Sequence, residues 1–232
     1  MKYMGSKDRI SKYIIPLMLK DRKDEQYWVE PFVGGANSLD KVTGNRIGND
    51  YNDYLAAMWQ DVSNGWMPPN DVTEEQYSKI KNNKELYPKG LVAYVGFALS
   101  YGGKWFGGWC RDGQGKRNYV IEAYNNAIKQ FPKLRGITFT NQSYDEMYIP
   151  PNSLIYCDPP YKNTTKYKND FDSDKFYNWC VSKVKDGHTV FVSEYEFNHP
   201  NFIKLWEKEI TSSLTQNTGS KTGIECLYKV QL

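Results

Sequence analysis

Leu154-Ile155-Tyr156-Cys157-Asp158-Pro159-Pro160-Tyr161 is an apolar run that stops on a carboxylate and two prolines. The four residues before Asp158 read as a buried strand. The prolines forbid both a further sheet rung and an immediate helix, and Pro159 presses Asp158 toward extended backbone angles. The product is a stiff turn holding a carboxylate, a proline carbonyl and an aromatic ring at the C-terminal edge of a sheet. In open α/β sheets that edge is where ligands bind. A plain strand and proline-rich turn, with Tyr161 as a core aromatic, fits the same eight residues.

Upstream, Tyr27 to Ala36 form an apolar strand running into Gly34-Gly35, and Asn37 to Val42 can start a helix. Glycines at a strand-to-helix turn let the backbone approach a ligand closely, although the pair lacks the dinucleotide fingerprint. Ile47 begins a second strand that ends at Asp50, 15 residues after Gly35. An acidic residue there can hold ribose hydroxyls; Asp50 or Asp53 can equally cap the helix that follows. Before these, Lys2 to Lys7 lead into an amphipathic segment with Ile10, Ile14 and Met18, for which Ser6 is a candidate cap.

Residues 61–136 differ in character. Helical patterns cover about 73–87, 89–101 and 118–131. Between the last two, residues 101–117 carry six glycines, the aromatics Trp105, Phe106 and Trp109, and the cations Lys104, Arg111, Lys116 and Arg117. That composition gives a long loop. It suits a surface that touches phosphates and stacks on bases, or a structural loop pinned by its aromatics. We take 61–136 as an insert in an α/β domain formed by 1–60 and 137–232. A strand around Ile137 and Phe139, a polar lid over 162–174, a helix from about Ser173 to Lys185 and a strand from His188 to Tyr195 follow. Two strands, near 208–214 and from Glu225 to Val230, close the chain.

The 232 residues suffice for one good-sized core, or a core with an inserted subdomain. The net charge of +3 permits nucleic-acid binding through a local patch without arguing for it. Aromatics reach 16%, and 19 of them are Tyr, a residue that offers both a stacking face and a hydroxyl. Cys110, Cys157, Cys180 and Cys226 have no metal-ligand spacing and read as reduced thiols of a cytosolic protein. Neither His188 nor His199 sits near a second strong metal-ligand type at helical spacing, so no zinc site is expected. No run approaches the ~20 apolar residues that span a bilayer.

In this order the pieces resemble the Dam-type, D12-class DNA adenine methyltransferases. The matching motifs are Lys2-Tyr3-Met4-Gly5-Ser6-Lys7, Glu30 to Ala36, Asn49-Asp50-Tyr51-Asn52, Asp158-Pro159-Pro160-Tyr161, Phe171 to Tyr177 and Glu225 to Tyr228. The resemblance covers about 1–60 and 137–232, and places the middle third as a target-recognition insert. It implies a Rossmann-like sheet that binds S-adenosylmethionine, with a mainly helical insert, and methyl transfer to the N6 amino group of adenine in double-stranded DNA. Tyr3 and Lys7 then flank the methionine part of the cofactor, beside Phe32, Gly34 and Gly35. Asp50 holds the ribose hydroxyls with Tyr51 next to it. Ser143-Tyr144 replaces the Asp-Phe pair that many members carry near the cofactor's adenine. Asp158, Pro159, Pro160 and Tyr161 act on the target base, Asp158 also belonging to the cofactor site, and Lys104, Trp105, Arg111, Lys116 and Arg117 read DNA. A stand-alone phage or bacterial enzyme without metal, cytoplasmic and monomeric or weakly dimeric, is the expectation. An amino-methyltransferase on cytosine N4 or RNA, and a catalytically silent DNA-binding relative, are the alternatives.

Overall fold

The computed structural model describes residues 1–20, 22–161, 171–212 and 221–232, without the side chains of 210–212 and 221–222. Seven strands form one sheet: β1 (Trp28–Glu30), β2 (Arg46–Asn49), β3 (Thr138–Thr140), β4 (Leu154–Cys157), β5 (Thr189–Tyr195), β6 (Phe202–Ser212) and β7 (Lys221–Val230). Their order is β3-β2-β1-β4-β5-β7-β6. The first five are parallel, and β7 runs antiparallel to both β5 and β6. The C-terminal ends of β1 to β5 therefore share one edge. Antiparallel pairing of Glu225 with Tyr195 brings the middle of β7 to that same edge. This is a Rossmann-like α/β fold, as the motif order implies.

Both faces of the sheet are covered, so its central strands are apolar throughout rather than alternating. Leu154 and Tyr156 of β4 join one core; Ile155 and Cys157, pointing the other way, join a second. The first core is built with α1 (Asp8–Leu19), α2 (Asp53–Ser63), α4 (Lys89–Ala98) and α5 (Tyr119–Gln130). The second is built on α6 (Ser173–Lys185), through Phe176, Tyr177 and Cys180. The remaining helix, α3 (Glu74–Asn82), starts on a capping box between Thr73 and Gln76. All four cysteines are buried free thiols.

The expected boundary at 60/61 falls inside α2. Trp59 of α2 lies 6.1 Å from Phe139 of β3 and edge-on to Phe131, at 5.6 Å, just beyond α5. The helices of 61–136 thus share a core with the sheet. The expected helix at 37–42 is only a single 3-10 turn, Leu39–Lys41. The Asn37 amide is drawn off to Met1 O (2.9 Å) and Ser6 Oγ (2.8 Å), and Ala36 holds a left-handed φ of 52°. Ser6 supports α1 only by accepting from the Asp8 N–H, while Lys7 is the residue at the cap position. Most of the lid segment, 162–170, lies outside the described residues, as do 213 and 214 of the expected strand near 208–214. That strand begins earlier, at Phe202.

Candidate active site

Asp158 follows β4 directly. Its Oδ1 lies 2.7 Å from Lys7 Nζ, at the start of α1. The same ammonium is 3.4 Å from Glu225 Oε1 on β7, donates to Gly5 O at 3.1 Å, and sits 4.6 Å from the centre of the Tyr161 ring. The Tyr161 hydroxyl donates to Glu225. The ring meets Tyr195 of β5 edge-on at 4.7 Å. Lys7 and Glu225 are nearly fully buried, whereas the Asp158 side chain keeps 24% exposure. Burial pushes the Asp158 and Glu225 carboxyls up, and Lys7 pulls both back. For Lys7 itself the two carboxylates outweigh burial, so its ammonium is held more firmly than an ordinary lysine's. Sequence reasoning placed Lys7 beside the cofactor; here it is committed to Asp158. Glu225 belongs to one of the matching runs, and a carboxylate directly ahead of the apolar Cys226-Leu227-Tyr228 is the signal that singles it out.

Glu30 ends β1 and is buried. It accepts from Trp28 Nε1 at 2.8 Å, and burial lifts its pKa to about 8, the neighbouring Asp158 adding to the rise. Asp50 ends β2. Its Oδ2 accepts from the Gly34 N–H and its Oδ1 from the Asn52 N–H, both at 2.9 Å. Asn52, not Asp50, caps α2, accepting from Tyr54 and Leu55; Asp53 pairs with Lys89. Burial raises the Asp50 pKa to about 6, less far than it would go without its two backbone donors. Tyr51 beside it is 81% exposed.

The glycine pair makes room for a side chain of the protein itself. A Cβ on Gly34 would lie 2.8 Å from the Tyr3 ring, and one on Gly35 would lie 2.7 Å from Tyr3 Cβ. Gly34 also holds a φ of +47°. Tyr3 in turn packs 5.2 Å from Phe97 of α4. Phe32 points elsewhere, into an aromatic cluster with Tyr144, Phe171 and Phe176. Ser143 bonds to Asp145, whose carboxylate is 2.6 Å from Lys175 Nζ.

The loop 101–117 divides by residue type. Trp105, expected among the DNA-reading groups, is half-buried, its ring 4.8 Å from Phe97 and 5.1 Å from Tyr54. Phe106 is buried and Trp109 packs 5.3 Å from Tyr77. These rings anchor the loop because Gly96 and Gly107 let it close on α4 and on itself. Lys104 is half-buried at the base. The cations farther out line an open groove of about 610 Å³ with Asp112 and Tyr119. Arg111 makes a two-pronged pair with Glu74, and Arg117 another with Glu122, at 2.8 and 2.6 Å. The Lys116 N–H donates to Asp112.

Residues 3–90, which carry Tyr3, Lys7, the glycine pair and Asp50, match the model of the D12 class N6 adenine-specific DNA methyltransferase family. The modification methylase StsI of Streptococcus sanguinis is 26% identical over 197 residues, 73% of this chain, and the chain spans only 29% of that protein's length. Solved structures that align include the putative methyltransferase yhhF of Escherichia coli (10% identity, 97% of this chain and 85% of that one, TM-score 0.38). An rRNA methylase of Streptococcus thermophilus aligns with 7% identity, 96% of each chain and TM-score 0.38. A putative class I S-adenosylmethionine-dependent methyltransferase of Listeria monocytogenes aligns with 11% identity, 99% of this chain and 61% of that one, at TM-score 0.42. Residues 3–90 are thus similar to the D12 class N6 adenine-specific DNA methyltransferases.

Proposed function

We propose that the protein transfers a methyl group from S-adenosylmethionine to the N6 amino nitrogen of adenine in DNA. The observation that carries this reading is the pairing of Asp158 with Tyr161 at the C-terminal end of β4, a partly exposed carboxylate beside a flat ring, both held by Lys7 and Glu225.

The cofactor's place follows from Asp50. Each of its carboxylate oxygens takes one backbone N–H and keeps lone-pair capacity for a ribose hydroxyl. With a pKa of about 6 it is ionised at neutral pH. The neighbouring glycine turn and Tyr3 complete a fixed wall. S-adenosylmethionine, when bound, supplies the methyl group.

The protein's task is to make a poor nucleophile attack. The adenine amino nitrogen delocalises its lone pair into the ring. Asp158 and the Pro159 carbonyl accept its two hydrogens and favour a pyramidal nitrogen whose lone pair faces the methyl carbon. Tyr161 stacks on the base. Methyl transfer from the bound cofactor would leave the nitrogen with one proton to shed, and Asp158, whose partial burial raises its proton affinity, would accept it. The base must first leave the duplex, at a cost of a few kcal/mol. Orientation and preorganised dipoles supply most of the rate. Arg111, Lys116 and Arg117 in the groove of the insert hold the DNA.

Labelled methyl transfer from S-adenosylmethionine to double-stranded DNA, followed by nucleoside analysis, tests this reading. N6-methyladenine is the expected product. Label on cytosine, or on RNA alone, would replace adenine as the substrate, and no incorporation would leave a silent relative.

A further inference from the structure

Lys7 occupies the place the target base needs. Its ammonium bonds Oδ1 of Asp158, the carboxylate that is to accept an amino hydrogen, and it lies over the ring on which the base is to stack. A base entering this pocket therefore displaces Lys7 from Asp158. A buried ammonium cannot be released without a counter-charge, because stripping it of a partner in a dry site costs several kcal/mol. A second carboxylate stands ready: Glu225, 4% exposed, with Oε1 already 3.4 Å from Lys7 Nζ. Glu225 also accepts from the Tyr161 hydroxyl, which fixes the ring. The backbone supports this double duty, since Glu225 pairs in register with Tyr195, whose ring packs against Tyr161.

We propose that Glu225 is a positioning residue that receives Lys7 when the target base takes its place on Asp158, and that holds Tyr161 square to that base. The inference deepens the methyltransferase reading and rests on it for the identity of the incoming group. Lys7 is then an internal stand-in for the amino group, exchanged between two carboxylates as the base goes in and out.

Two measurements on the full chain test it. The first is kinetic. Glu225→Gln is expected to leave cofactor affinity within about twofold, and to lower kcat/KM for DNA at least tenfold, as Lys7 stays on Asp158. Adding Lys7→Met removes the competitor, so the double variant should be no worse than Lys7→Met alone. Additive losses would mean that Glu225 is merely structural, and a kcat/KM within twofold of wild type would overturn the proposal. The second needs no DNA and stands whether or not the protein methylates. With ε-13C-labelled lysine, the Lys7 resonance is followed against pH in Asp158→Asn and in Asp158→Asn/Glu225→Gln. The proposal expects Lys7 to stay charged to a higher pH in the former. Identical titrations in the two variants would sink it. If either variant fails to fold, Glu225→Asp, which keeps the charge, is expected to restore both readouts at least in part; the loss of both in a folded Glu225→Asp counts against the proposal.

Discussion

Asp158, Glu30 and Asp50 each end a strand at the same edge, yet their surroundings assign them different tasks. Asp158 keeps solvent access and a cationic partner, so its removal is expected to spare the fold: Lys7 retains Glu225. Asp158→Ala should cut methyl transfer by at least about 100-fold, the usual worth of an oriented hydrogen-bonding or proton-transfer group. Residual activity above about one percent of wild type would remove the amino-nitrogen role. Glu30 is buried, with a folded pKa near 8 against an ordinary 4.5. The folded state therefore holds the proton where the unfolded chain has lost it, and stability falls as pH rises from 4.5 to 8 by about 1.4 kcal/mol per unit at most. Glu30→Gln keeps the acceptor for Trp28 and never ionises. It should raise the denaturation midpoint at pH 8 and give a shrinking gain toward pH 4.5; an equal gain at both ends would place the cause elsewhere. Asp50 protonates as pH falls through about 6 and then loses acceptor strength. Calorimetry should show S-adenosylmethionine binding weakening across that range, with Asp50→Ala weaker by about 1–3 kcal/mol at pH 7.5 and flat with pH. Asp158 is legible because it interrupts an apolar run, and Asp50 because it closes a short strand 15 residues past the glycine pair. Glu30 and Glu225 were quoted within matching runs but given no task, because their partners, Trp28 apart, lie far away in sequence.

Elements with a strong local pattern emerged where their spacing put them: β4, α5 and α6 carry their own start signals, and Asn118 and Asp172 cap the two helices as the chemistry of N-caps requires. The segment after Gly35 did not, because long-range bonds from Asn37 to Met1 and Ser6 override its helical leaning. The loop 101–117 was read correctly as irregular, but its aromatics and cations divide the work. The rings turn inward, since apolar area is stabilised by burial, and the charged tips stay out. Arg111 and Arg117 meet Glu74 and Glu122 in the fork geometry that a phosphate or a guanine edge also offers. In the proposed reading, DNA displaces those carboxylates to bind there. The triple variant Arg111→Ala, Lys116→Ala, Arg117→Ala is expected to weaken DNA binding and to flatten its salt dependence by about one unit of slope for each phosphate that is no longer neutralised, cofactor binding being retained. An unaltered slope would assign the loop to structure and move DNA reading to another part of 61–136.

Across the whole molecule, the insert and the sheet are separable in sequence but continuous in packing. Nothing in the composition of 61–136 announces this, because shared burial depends on which face of each helix meets the sheet. Trp59 of α2 is closed in by Phe131, near the C-terminal end of the insert, and by Phe139 of β3 just beyond it. Trp66, just past α2, packs on Tyr94 of α4 and on Phe131. Gly103 lies so close to the Tyr3 backbone that a Cβ there would come within 2.8 Å, which ties the loop to the segment carrying Lys7. In the proposed reading, an insert welded in this way transmits DNA binding to the catalytic edge without a hinge. It also makes the sheet dependent on the insert. Replacing residues 64–136 by a short flexible linker exposes Met58, Trp59 and Val62 of α2, each of which is worth about 1.5–3 kcal/mol or more when buried. That sum rivals the net stability of a typical domain. The shortened chain is therefore expected to lack a cooperative thermal transition, and the intact protein to unfold in a single one, with calorimetric and van't Hoff enthalpies equal. Two resolved transitions in the intact protein, or a folded shortened chain by near-ultraviolet circular dichroism, would show instead that the insert is an independent domain resting on the sheet.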